Sequence, residues 1–326
     1  MENTKPIKTK EDAIKLMNTA LEHEWAVSFE YIIHAYSMPK GKYFYEDPIM
    51  EITTDARRQT IQIGIDEMYH SLQLGIIIKN MGGIPSFKTD EVIRYPKIID
   101  NLKRDKKTED MVTYLYQSAK FEEGAFPEIQ NMILNISYDE VRHSKQFSAM
   151  MDVMKNKGIE NELCYQNNPA VSEKEKVRTL HEIMTMENAL LHQYLKHVID
   201  FSDHQDLSQR LFKNSIDHMR HWDKNSGILI KMGDVVRIEN AEKDASGMER
   251  STQPMPAIYE GDDRRAALEA LVPAEETLIS LYTKFIAMLP EGEIKDQVKL
   301  HLSLDKEHLF TQNWLLKNVK KIKGLS

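Results

Sequence analysis

The sequence predicts an all-α protein made of two tandem four-helix bundles, each with a long crossover connection. Glycine and proline are scarce, at 13 and 11 of 326 residues, which disfavours a turn-rich β fold. A Glu, Asp or His followed three residues later by a His recurs four times, at helical spacing. The two halves also share one order of short and long connections between helical segments. Because an internal repeat sets the architecture of a chain, we assign the same fold to each half.

Four helices are predicted in the first half. The first begins at a cap near Thr9 and runs to about Met38, before a proline. Asp47-Pro48 is expected to start the second helix, which ends at a double glycine. An irregular crossover, residues 84–106, leads to a third helix that begins near Thr108. A fourth helix then closes the predicted bundle.

The second half repeats this order. Residues 158–171 lose the helical pattern, and we assign them as the linker between bundles spanning 1–157 and 172–326. A second crossover, residues 234–261, separates the two helix pairs of the second bundle. Each bundle is therefore expected to have its own core and its own inward-facing polar residues.

The recurring polar pairs are the main functional signal. At 3.6 residues per turn, side chains three apart project from one helix face and can hold the same ion. One such pair is common on an exposed helix face, but four recurrences at helical spacing are hard to assign to chance. The pairs are Glu67/His70, Glu140/His143, His218/His221 and Asp305/His308.

These segments, with the connection lengths, resemble the ferritin-like diiron-carboxylate superfamily, of bacterioferritin and rubrerythrin type. Residues 24–35 are similar to the bacterioferritin pattern E-L-x-A-x-x-Q-Y-x-x-H-A. Residues 65–70 match its I-D-E-M-x-H, and residues 139–143 match its D-E-x-x-H. In such bundles two Glu and two Glu-x-x-His pairs point inward and bind two metal ions.

The resemblance implies a complete dinuclear site in the first bundle, in which Glu67 and Glu140 bridge two iron or iron/manganese ions. Tyr31, two turns beyond Glu24, is a candidate catalytic residue, as a hydrogen-bond donor or one-electron relay; a core tyrosine is the plainer interpretation. The implied ligands are Glu24, Glu67, His70, Glu122, Glu140 and His143.

Glu122 is the weakest member of this set. It lies only 18 residues before Glu140, whereas Glu275 lies 30 residues before Asp305. Two antiparallel helices bring Glu122 and Glu140 level only if the turn falls midway between them. An earlier turn would favour Glu109 or Asp110, and both remain alternatives.

The second bundle departs from the family pattern. A histidine, His218, stands where a bridging Glu is expected, and the shorter Asp305 takes the other bridging position. We expect one firmly held ion there, although a second ion and a metal-free polar network stay open. The aligned set is Glu187, His218, His221, Glu275, Asp305 and His308.

Composition excludes several other classes. The net charge of −8 gives no basic surface for nucleic acid, and one cysteine rules out an intrachain disulfide framework. The chain shows neither an apolar leader nor a membrane-length apolar run, so we expect a cytoplasmic protein with no membrane partner. The absence of thiolates in the motifs argues against an iron–sulfur cluster. Met68 and Met219 occupy a haem-ligand-like position, but core packing explains them better and haem is not expected.

The leading hypothesis is a non-haem dinuclear metal oxidoreductase that activates O2 or peroxide in the first bundle. Two alternatives stay open: a ferroxidase or iron-handling protein without an organic substrate, and a non-catalytic, metal-stabilised binding protein. A small-molecule substrate, an electron-donor protein and a homodimer are the partners to test. The substrate does not follow from the sequence, because a shared fold carries the site chemistry and not the reaction.

Overall fold

The all-α prediction is confirmed in a computed structural model that describes residues 6–254, 256–261 and 263–318. The elements of the first half are α1 Lys10–Ser37, β1 Phe44–Glu46, β2 Thr53–Asp55, α2 Ala56–Asn80, β3 Val92–Arg94, α3 Ile98–Ser118 and α4 Pro127–Asn156. Those of the second half are α5 Pro169–Ser172, α6 Glu175–Asp200, α7 Gln205–Lys231, β4 Glu242–Lys243, β5 Glu249–Ser251, α8 Arg264–Ala287 and α9 Glu293–Asn318.

Capping side chains mark the starts of α1 and α2, and the starts of α2 and α3 differ from prediction. The Thr9 hydroxyl accepts a hydrogen bond from the Asp12 amide at 3.1 Å, as expected for the cap of α1. Helix α2 begins later than expected, because Asp55 caps it and Asp47-Pro48 lies in the turn between β1 and β2. Helix α3 begins ten residues earlier than Thr108, because buried Ile98 and Leu102 continue its apolar face through a charged segment.

The chain divides into two compact units. The first runs up to Gln166 and also takes in Ala241–Thr252; the second comprises Asn167–Asn240 and the chain from Gln253 onwards. The predicted second bundle, 172–326, is therefore corrected at Ala241–Thr252. The reason is strand pairing: β5 lies between β3 and β4 in an antiparallel sheet, and Glu249 of β5 forms an ion pair with buried Arg94 of β3.

Each unit holds four long helices. In the first, α1 packs on α2, α3 packs on α4, and these pairs meet through α1–α3 and α2–α4 contacts. The second unit repeats these contacts with α6, α7, α8 and α9. The packing turns one face of every long helix inward, which places the polar pairs inside the unit. No helix in the described ranges combines the length and the apolar character needed to cross a bilayer.

Candidate metal centres

Six buried side chains of the first unit form one cluster, which we call site one. Its members fall into two overlapping groups of four, and within each group the potential ligand atoms lie within 4.8 Å of one another. Glu67 and Glu140 belong to both groups. The cluster consists of Glu24, Glu67, His70, Glu109, Glu140 and His143.

Glu67 lies between the two histidines of site one. Its Oε2 is 2.9 Å from Nδ1 of His70, and its Oε1 is 2.9 Å from Nδ1 of His143. Glu140 is the second shared carboxylate, 3.2 Å from Nδ1 of His70 and 3.9 Å from Nδ1 of His143. A carboxylate has two oxygens, so each shared residue can serve both halves of the cluster.

The outer nitrogens of these histidines are held by aspartates from the opposite helix. Nε2 of His70 lies 3.4 Å from Asp139 on α4, and Nε2 of His143 lies 3.3 Å from Asp66 on α2. An ionised carboxylate only accepts, so the His70 ring donates its Nε2–H to Asp139 and turns Nδ1 to the cluster, whereas Nε2 of His143 lies near both Asp66 and, at 3.1 Å, the Arg142 guanidinium. This arrangement fixes the orientation of metal-binding histidines.

The structure does not place Glu122 in site one. Helix α3 ends at Ser118, so Glu122 lies in the connection to α4, where its side chain is 53% exposed and forms an ion pair with Lys8. Of the two alternatives, Glu109 is buried in the cluster, whereas Asp110 bonds Lys106 and Ser144 outside it. Because the chain turns between Ser118 and Pro127, Glu109 and not Glu122 lies level with Glu140.

Burial opposes ionisation of the four carboxylates of site one, yet hydrogen bonding to His70 lowers the pKa of Glu24 to about 2, and hydrogen bonding to Glu140 and His143 lowers the pKa of Glu109. Burial raises the pKa of Glu67 to about 7, and the Glu109 charge adds to the effect. Burial also raises the pKa of Glu140 well above its ordinary value. Among the inward atoms, both Glu109 oxygens are buried without a hydrogen-bond partner. Four buried carboxylates are costly without compensation, and two divalent cations would supply it. The residues therefore fit a dinuclear metal group.

The second unit contains the corresponding cluster, which we call site two. Its two groups of four share His218 and Asp305, in place of the two shared glutamates of site one. Burial raises the pKa of Asp305 to about 7, with the Glu187 charge adding to the effect. The structure brings together all six predicted members, Glu187, His218, His221, Glu275, Asp305 and His308.

Site two has only one of the two outer aspartates. Nε2 of His308 lies 3.4 Å from Asp217, as expected from the repeat. The position before Asp305 is Leu304, so His221 has no such partner from α9. Instead, the ring of His221 stacks on His301, with ring centroids 4.3 Å apart. His301 is buried beside the site.

Four tyrosines complete the two sites. The hydroxyl of Tyr116 donates to Glu24, Tyr194 donates to Glu275 at 2.6 Å, and Tyr282 donates to Glu187. Tyr31 is buried near Glu109; burial and the Glu109 charge raise its pKa well above the ordinary value. Each tyrosine follows a site glutamate by seven residues on its own helix. The Glu109–Tyr116 spacing was thus a signal that would have favoured Glu109 over Glu122.

A third group of buried acids and histidine lies in the first unit but has a structural explanation. His34 bonds Asp105 through Nδ1 at 2.7 Å and the Ile93 carbonyl through Nε2 at 2.6 Å. Glu30 accepts from the Ile93 amide at 2.7 Å. With both ring nitrogens bonded, His34 has no lone pair for an ion. The hydrogen bonds of this group connect β3 to α1.

Comparison of the chain with protein-family models, curated proteins and solved structures found no match. The geometry of the two sites therefore carries the functional argument alone.

Proposed function

We propose that the protein is a non-haem dinuclear metal oxidoreductase of the ferritin-like type, and that site one activates O2 or peroxide. The observation that carries the proposal is the pair of overlapping ligand groups sharing Glu67 and Glu140. Two ions sharing two carboxylates can act on one small molecule together, whereas two separate sites cannot.

The donor set favours iron, or iron with manganese. Site one offers carboxylate oxygens and imidazole nitrogens and no thiolate, a mixture that suits these metals. With two such ions bound, the residues of site one would hold a centre able to deliver two electrons to O2 or peroxide. O2 or peroxide is then the first substrate, and an electron-donor protein or an organic molecule returns the electrons.

In this proposal, residues of the first unit position the ligands of site one and exclude water from it. Asp66 and Asp139 orient the two histidines, and Tyr116 donates to Glu24 and fixes that carboxylate. All six side chains of site one are buried, which keeps bulk water away from the cluster. Tyr31 is buried near Glu109, where burial and the Glu109 charge raise its pKa, and it is the candidate hydrogen-bond donor or one-electron relay of the proposal.

Iron handling is the competing class. Uptake far beyond about four ions per chain, without consumption of an organic substrate, would replace the oxidoreductase proposal with storage. The inequality of the two sites argues against storage, since a symmetrical shell uses equivalent subunit surfaces.

The experiment is anaerobic loading with ferrous iron followed by a pulse of oxygen, with optical absorption and oxygen consumption as readouts. Glu140→Ala removes a shared carboxylate from site one and should abolish the oxygen-dependent change. Asp305→Ala removes the corresponding residue of site two and should leave it. The reverse result would place the reactive centre in the second unit, and no response in the unmodified chain would refute the proposal.

A further inference from the structure

Site two has two sides, separated by the ring of His218. Nδ1 of this ring lies 2.7 Å from Glu187, and Nε2 lies 3.3 Å from Glu275. A neutral imidazole has one lone pair, so it can ligate an ion on one side only. Glu67 of site one has two oxygens and can therefore ligate an ion on each side.

On the Glu187 side, both oxygens of Glu187 accept protein hydrogen bonds, although Nε2 of His221 is buried without one. One oxygen of Glu187 accepts from Tyr282 and from Nδ1 of His221, which lies 3.2 Å away. The other oxygen accepts from Nδ1 of His218. Neither oxygen is left without a partner.

The opposite side holds the unsatisfied carboxylate oxygens. Glu275 Oε2, Asp305 Oδ2 and Nδ1 of His308 are buried without a hydrogen-bond partner, and Asp305 Oδ1 lies 3.3 Å from Nδ1 of His221. Their side chains are at most 3% exposed. His308 is also the histidine oriented by Asp217, so its Nδ1 faces inward as a metal ligand should.

We propose that site two binds a single divalent cation through Glu275, Asp305 and His308, with Nε2 of His218 as the fourth ligand. Two carboxylates balance the charge of one divalent ion, and the two imidazoles are neutral ligands. In this arrangement His218 donates its Nδ1–H to Glu187. Glu187, which belongs to a ligand group of site two as its counterpart Glu24 does in site one, thus orients His218 in this proposal and does not bind the ion.

The mixed nitrogen and oxygen set suits Zn2+, Fe2+ or Co2+. This inference does not depend on oxygen chemistry at site one, and its test needs no turnover. Cobalt is the probe, because bound Co2+ can be counted by metal analysis and followed by its visible absorption.

Three variants of the full chain separate the possibilities. Glu275→Gln removes a ligand charge and should release one Co2+ per chain. Glu187→Gln keeps a hydrogen-bond acceptor for His218 and should retain the ion, with affinity weakened by no more than about 10- to 100-fold. Glu276→Gln changes the exposed neighbour of Glu275 and should match the unmodified chain.

Other outcomes would overturn the assignment. Loss of the ion in Glu187→Gln but not in Glu275→Gln would place it on the other side. Loss of two ions in either variant would make site two dinuclear, and loss of none would make it a metal-free polar network. Should circular dichroism show that Glu275→Gln does not fold, Asp305→Asn provides the same test, with loss of one Co2+ again expected.

Discussion

Site one and site two occupy equivalent positions in two similar helical frames, yet they differ at the residues that the two ligand groups share. Site one shares Glu67 and Glu140, whereas site two shares His218 and Asp305. Both sites keep glutamates partnered by tyrosines and at least one histidine oriented by an aspartate. If both proposals hold, the shared position sets the number of ions that each site binds, because a carboxylate offers two oxygens and a neutral imidazole offers one lone pair.

The largest expected effect comes from removing the centre of site one. Glu67→Ala combined with His143→Ala should lower the metal content by about two ions per chain, because both ligand groups lose members. Metal analysis after reconstitution measures this. Glu122→Ala is the control and should keep the full content, since Glu122 lies outside the cluster. Unchanged stoichiometry in the double variant would refute site one.

A smaller effect should follow from the outer aspartates. Asp66→Asn or Asp139→Asn should weaken metal binding at site one by about 10- to 100-fold, because His143 or His70 loses its orienting partner. Asp217→Asn should act on site two alone. Competition with a chelator measures each affinity, and Asp152→Asn, an exposed aspartate of α4, is the control. Equal loss at both sites from Asp217→Asn would contradict the independence of the units.

The smallest predicted effect concerns His301 and appears only in acid. Burial, with the nearby His221 charge, lowers the pKa of His301 to about 3. Below about pH 6.5 the unfolded chain binds a proton at His301 that the folded chain does not bind. The free energy of unfolding therefore falls as the pH drops below about 6.5. His301→Ile, which copies Ile136 of the first unit, should remove this loss. The difference in free energy of unfolding between His301→Ile and the unmodified chain should be about 2 kcal/mol larger at about pH 5 than at about pH 7.5, in favour of the variant.

Chemical denaturation of the metal-free chain at the two pH values measures that difference. The reciprocal variant Ile136→His should make the first unit more sensitive to acid. A constant difference between His301→Ile and the unmodified chain at both pH values would show that His301 is not held neutral.

The sequence alone determined the helical class and eleven of the twelve side chains that the structure groups into site one and site two. These follow from spacing within single helices: residues three apart share a face wherever that helix packs. The Glu67/His70 and Asp305/His308 pairs are of this local kind.

Contacts between residues on different elements depend on the tertiary structure and cannot be read from spacing within one helix. The choice of Glu109 over Glu122 depends on where the chain turns between α3 and α4, and a turn sets which residues of two helices lie level. The burial of His301 against His221, and the pairing of β5 with β3, join residues far apart in sequence. Such contacts follow from packing, because the partner of a side chain on another element is fixed only when both elements are in place.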